Sequence, residues 1–258
     1  MHRNELTFDM IGVLKKIADK FLPELFQRVR NELGVRNLKL LDYVFKRYYL
    51  KGESGGRWYD SYHVLFSTHF AVQLLKSGEP VSPLIIPAII LHDIGYRVLT
   101  EEGKANWSAA ENRIIHMQEG AALAAEILVK INSFNADEIG VVVGMVASHD
   151  NVYLDILNEQ NPSRLALRDA DRMWVMHFLS FYKDWISSHK EISSLSELLE
   201  LRKDSLRNAK GPYTNLAQRW LSQQFEIRFQ EIQDNIIRDK DVFQRYGEKQ
   251  IPAELELK

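Results

Sequence analysis

The sequence predicts an all-α chain folded as a helical bundle. Three observations lead there. Apolar residues recur at three- and four-residue steps through most of the 258 residues, the spacing that lines one face of a helix. No stretch carries the strict alternation of a half-buried strand. Helix start and stop signals punctuate the chain at intervals suited to helices of ordinary length.

The elements follow in order. Residues 10–34 form a long amphipathic helix interrupted by Pro23, and "NLKLLDYVFKRYYL" (37–50) forms a second. The glycines of "KGESGGRW" (51–58) make a loop. Residues 62–78 make a helix ended by Gly78. Ser82-Pro83 opens the next, unless Pro87 marks its first turn, and Gly95 stands near its end. After a polar loop at 98–107, Ser108 and Glu111 have capping-box spacing for a helix reaching about Ile131. Asn135 and Glu138 repeat that signature before "IGVVVGMVASH". A polar loop at 150–163 leads into "RLALRDADRMWVMHFLSFYKDWI", whose aromatic stripe reads as helix packing. Helices at about 194–209 and 214–238 follow, parted by "KGPY", and the last dozen residues look weakly structured. With no repeat, low-complexity tract or linker, residues 1–258 read as a single domain, and boundaries near 55 or after 190 have no linker to support them.

Composition narrows the function. Hydrophobic residues make up 45% and charged residues 26%, enough apolar material for a sizeable core in a soluble chain. A formal charge of −2 supplies no broad basic footprint, which argues against a nonspecific nucleic-acid partner. The absence of cysteine removes disulfides, thiolate nucleophiles and Cys-ligated zinc. The longest apolar runs are too short to span a bilayer and no signal pattern opens the chain, so a cytoplasmic location without a membrane partner is expected.

Six polar residues interrupt apolar helical segments: His63, His92, Asp93, His116, His149 and Asp171. Each gap between segments is long enough for one helix and a turn, so five helices can deliver all six side chains to one spot. Burying such groups unpaired is costly. A divalent cation compensates a buried aspartate and accepts imidazole lone pairs. Adjacent His92 and Asp93 lie about 100° apart on a helix, so both can reach one centre. Asp93 is the candidate for a carboxylate bridging two metals.

The order His63 … His92-Asp93 … His116 … His149 … Asp171 resembles the HD-domain metal-dependent phosphohydrolases over roughly residues 58–185, with helices 10–50 and 194–238 flanking that core. "AIILHDIG" resembles the family's run into His-Asp-x-Gly, "HMQEGAALAAEIL" its His-x-x-x-Gly helix, and "LALRDADRMW" its closing aspartate segment. The resemblance implies one metal on His63, His92, Asp93 and Asp171 and a second on the shared Asp93, His116 and His149. Iron or manganese come first, with zinc, cobalt, nickel or magnesium as alternatives. It further implies hydrolysis of a phosphate ester or anhydride, on a nucleotide or other small phosphorylated metabolite, by a hydroxide held between the metals. One departure stands out: many members carry a lysine where this chain has Tyr96, followed by Arg97.

Around this set, Arg97 is the candidate phosphate clamp and Asp169 a candidate for proton transfer. Asp150 reads first as a loop residue, with a water-mediated ligand role as the alternative. Arg57, Lys104, Arg113 and Arg172 also flank the motifs. His69 and His177 should miss the pocket, each about 120° round the helix from a ligand. His2 and His189 read as solvated. Trp58, Tyr59 and Tyr62 read as aromatic core rather than as a base or sugar pocket. Two alternatives to a hydrolase use the same ligands: a mixed-valence di-iron oxygenase, and a non-catalytic nucleotide- or metal-binding regulatory module. The flanking helices would serve partners or a homodimer.

Overall fold

The computed structural model describes residues 6, 8–49, 58–96, 99, 109–154, 160–187, 192, 194–208 and 211–256. Among them are eleven α-helices and no sheet. No helix among them is long and apolar enough to cross a membrane. They divide into two compact units, one of residues 25–171 and one of residues 1–24 with 172–258.

Helix α1 (Met10–Glu32) serves both units in turn. Met10, Val13, Leu14, Ile17, Phe21, Leu25 and Val29 are buried at helical spacing. Pro23 does not end the helix. The hydrogen bond it cannot make would go to the carbonyl of Asp19, an exposed residue.

In the unit of residues 25–171, α2 (Val35–Val44) runs into a wider π-helical turn at Phe45–Tyr49, where periodicity predicts one helix over 37–50. The wide turn buries Phe45, Tyr48 and Tyr49 together, and Phe45 stacks on Phe26 at 4.7 Å. Helix α3 (Asp60–Lys76) has Tyr62 through Val72 all buried, so it is surrounded rather than amphipathic. Gly78, at φ 79°, follows its end. Helix α4 (Ile85–Leu91) is buried along its whole length. It begins past Ser82-Pro83, and Pro87 marks its first turn, the second of the two expectations. The carbonyls of Ser82 and Pro83 accept from Ile85 and Ile86, and Pro87 falls in the first turn, where its missing N–H has no partner to lose.

Helix α5 (Ala110–Ile131) has Ala109 at its N-cap, one residue past the expected Ser108, and no side chain caps it. Ser108 lies outside the described residues, as do most of the loops at 51–58 and 98–107. Helix α6 (Ala136–Val146) carries the expected capping box: Asn135 accepts from the Glu138 N–H at 2.9 Å and Glu138 from the Asn135 N–H at 3.0 Å. Helix α5 packs on α6, and α4 on α2, α3 and α6. Helix α7 (Pro162–Arg172) closes this unit.

The other unit corrects three expectations. The stretch 164–186 is not one helix. After α7 comes a 3-10 turn (Met173–Met176), then His177 in extended backbone, then α8 (Phe178–Ser187). Helix α10 (Asn215–Gln233) stops short of residue 238, and Asn235 turns left-handed at φ 49°. The last residues are not weakly structured: α11 (Lys240–Glu254) buries Phe243, Gly247, Ile251 and Glu254. Gly247 permits this packing, since a Cβ there would lie 2.6 Å from Phe178 Cε1. Helix α9 (Leu195–Asn208) packs on α10. Arg228 on α10 is fully buried and bonds Glu231 at 2.7 Å, Gln224 at 3.2 Å and Glu254. The Tyr182 hydroxyl donates to Glu231 at 2.9 Å.

Candidate metal centre

All six singled-out side chains lie in the unit of residues 25–171, and the fold brings their tips together. His63 sits in the first turn of α3, and His92 caps the C-terminus of α4 with Asp93 next to it. His116 lies on α5, His149 in the turn after α6 and Asp171 near the end of α7. The close approach depends on Gly95. Gly95, three residues after His92, lies so near α5 that a Cβ would stand 2.5 Å from Gly120 N and nearer still to the His116 carbonyl oxygen. Only glycine lets the His-Asp turn rest on the His116 helix.

The donors form two groups, His63 with His92 and Asp171, and Asp93 with His116 and His149. In the first, Nε2 of His63 is 3.1 Å from Nε2 of His92 and 3.0 Å from Asp171 Oδ1, which is 3.3 Å from His92 Nε2. In the second, the Nε2 atoms of His116 and His149 are 3.1 Å apart, and Asp93 Oδ1 lies 3.9 and 3.6 Å from them. That same oxygen is 3.6 Å from His92 Nε2, so it stands between the groups. Ligands about 2.1 Å from one cation are about 3.0 Å apart at right angles and about 3.4 Å apart at tetrahedral angles. The first group matches the tighter spacing, and the second is slightly open.

The hydrogen bonds behind the rings say what belongs between them. His149 Nδ1 donates to the Val146 carbonyl at 2.8 Å and His116 Nδ1 to the Asn112 carbonyl at 3.3 Å. With those protons on Nδ1, both neutral rings aim a lone pair from Nε2. Two acceptors facing each other at 3.1 Å repel unless a cation or proton lies between them. His92 is set the same way, with Nδ1 donating to the Ile89 carbonyl at 2.7 Å. Backbone carbonyls behind the rings are the usual support of metal-bound histidine.

Electrostatics agree. Burial opposes charge on His92, yet Asp93 and Asp171 outweigh it and push its pKa up to about 9. Burial likewise works against charge on His149, which its Asp93 bond and Asp150 still raise. In His63 burial prevails and lowers the pKa. Burial would raise Asp171, but its bonds to His63 and His92 hold it far below the carboxylate range. The cluster thus calls for positive charge in its middle, and the donor set suits a divalent cation. Known family models, curated sequences and solved structures give no match to this chain. It is an all-α protein with two His/Asp clusters able to chelate metal ions.

The other candidates separate. Asp169 is buried on α7, about 200° round the helix from Asp171, and is not among the clustered donors. Arg97, Arg57, Lys104, His2 and His189 lie outside the described residues. His69 is buried and its Nδ1 pairs with Glu32 at 2.9 Å, and His177 Nε2 lies 3.2 Å from Glu254, so both are structural. Tyr62 is core, Trp58 and Tyr59 are half-buried and meet edge to face, and Arg172 is buried. Tyr96 is buried and stacks on the His116 imidazole, ring centres 4.0 Å apart and planes 5° from parallel. Asp150 is not a solvated loop residue. It is buried, accepts from Arg113 Nη1 at 2.6 Å, and lies 3.6 Å from His116 Nε2. Arg113, three residues before His116 and so on the same helix face, was the one signal for this pair in the sequence.

Proposed function

We propose that the chain is a dinuclear metal-dependent phosphohydrolase of the HD-domain type, acting on a nucleotide or other small phosphate ester or anhydride. Two cations, iron or manganese by preference, would be held by His63, His92, Asp93 and Asp171 and by Asp93, His116 and His149. One observation carries the reading: His116 and His149 face each other through Nε2 at 3.1 Å while both Nδ1 protons are committed to carbonyls.

The charge balance favours an anionic substrate. Asp93 and Asp171 stand among the imidazoles and Asp150 pairs with the Arg113 guanidinium, so three carboxylates gather at the donors. Two dications would reverse that sign and draw a phosphate to the centre. The His63, Asp93 and Asp171 side chains are 10%, 11% and 13% exposed while those of His92 and His116 are sealed, so the side of those three is the approach. Bound cations would supply an activated water at neutral pH and neutralise phosphate charge. The chain's own part is orientation. Carbonyls behind the rings and Tyr96 over His116 hold the donors in place before substrate arrives. With Tyr96 in that role, the position where many family members keep a lysine bears no charge, and Arg97 is the proposed phosphate clamp. Asp169 remains the proposed proton-transfer group.

The test uses protein purified without chelator. Elemental analysis should find divalent metal, and manganese- or iron-loaded protein should release product from nucleotides or phosphodiesters. His92→Ala should lose both metal and turnover. A His92→Ala variant with full metal content, or no turnover by loaded wild type, refutes the hydrolase. Oxygen uptake by the reduced iron form would assign an oxygenase instead, and tight nucleotide binding without turnover a regulatory module.

A further inference from the structure

We propose that Asp150 is a fourth protein donor to the second cation, with the Arg113 guanidinium pairing its carboxylate in competition with that cation. The inference rests on the dinuclear reading above and extends its ligand set. Asp150 Oδ2 lies 3.6 Å from His116 Nε2, on the side away from the carbonyl-bonded Nδ1. That spacing equals the one between Asp93 Oδ1 and His149 Nε2, and is shorter than the 3.9 Å between Asp93 and His116. The carboxylate is buried, whereas the Arg113 side chain bonded to it at 2.6 Å is 21% exposed. The turn that presents it is anchored twice, by His149 Nδ1 on the Val146 carbonyl and by the Asp150 N–H directed at Met117 Sδ, 3.3 Å away. Asp150 stands just outside the tight group of Asp93, His116 and His149 and reaches it from the His116 side; counted in, it gives the second position two imidazoles and two carboxylates. That is the same complement as His63, His92, Asp93 and Asp171 at the first, with Asp93 common to both.

The competing explanation is a plain ion pair that ties the His149 turn to α5. The two differ in what Arg113 does. A guanidinium and a cation compete for Oδ2, so removing Arg113 spares or strengthens a donor, whereas removing either half of a structural pair loosens the turn equally.

The experiment titrates Mn2+ into the chelator-stripped protein and follows free Mn2+ by its electron paramagnetic resonance signal. Far-ultraviolet circular dichroism checks that each variant is folded. Wild type should bind two equivalents. Asp150→Asn should keep one near wild-type affinity and weaken the other about 10- to 100-fold. Arg113→Met should bind both at least as tightly as wild type. No weakening in Asp150→Asn, or equal weakening in the two variants, overturns the proposal while leaving a two-equivalent wild type and its dinuclear reading intact. A wild type that takes up no Mn2+ removes the centre itself, and this proposal with it.

Discussion

Gly95→Ala tests the contact on which the centre is built. The added Cβ would stand 2.5 Å from Gly120 N and 2.9 Å from Gly120 Cα, with the His116 carbonyl oxygen nearer still. All three neighbours are backbone atoms of α5, so no side chain can swing away. Restoring ordinary contacts of about 3.5 Å requires the His-Asp turn and α5 to part by about 1 Å. Gly95 is not at positive φ, so the cost is steric alone. Overpacking against backbone belongs at the upper end of the usual range, about 3 kcal/mol. For a chain of this size that lowers the melting temperature by about 6–12 °C. The same parting would stretch the 3.9 Å between Asp93 Oδ1 and His116 Nε2. Donors to one cation are at most about 4.2 Å apart, so Mn2+ affinity should fall at least about tenfold. Gly120→Ala is the control. Its Cβ would meet Gly95 N at 3.3 Å and Val146 Cγ1 at 3.5 Å, a small crowding that the gain of about 1 kcal/mol for alanine within a helix offsets. Thermal unfolding by circular dichroism and a Mn2+ titration measure both. A Gly95→Ala protein melting within about 2 °C of wild type, or a Gly120→Ala protein melting lower than Gly95→Ala, would refute the argument.

Three further outcomes are expected. Mn2+ at about a hundred times its dissociation constant should stabilise the chelator-stripped protein by about 2.7 kcal/mol per ion, raising the melting temperature by about 5–10 °C; chelator should reverse the shift and His149→Ala should reduce it. Burial would raise the Glu32 pKa, but its bonds to His69 and Lys76 lower it from 4.5 to about 2. Its folded pKa is depressed, so the stabilisation is full above the unfolded value and is lost as pH falls toward 2. Wild-type stability should therefore drop between pH 4.5 and 2, and Glu32→Gln should remove that part of the slope in acid titrations followed by tryptophan fluorescence. Arg228→Met strands the buried carboxylates of Glu231 and Glu254 and should cost about 3–5 kcal/mol, read from the urea midpoint; a loss below about 1 kcal/mol would show that the network is not needed.

The sequence by itself determined the helices with clear apolar faces, such as α1, and the capping box at Asn135 and Glu138, because these depend on neighbours a few residues away. It also named all six clustered donors, because imidazoles and carboxylates inside apolar helices stand out wherever the chain carries them. Tertiary structure alone decided the rest. The π-helical turn at Phe45–Tyr49 and the break before Phe178 exist because bulky side chains must be buried against distant helices, which periodicity does not encode. Helix α11 reads as polar until Phe243, Gly247 and Ile251 find their partners. Asp150 has the local appearance of a loop aspartate, and only the packing of α5 beside its turn sets it between Arg113 and His116. Tyr96 became the plate behind His116 for the same reason: which way a side chain points beyond a helix end is settled by what is packed against it, not by its neighbours in sequence.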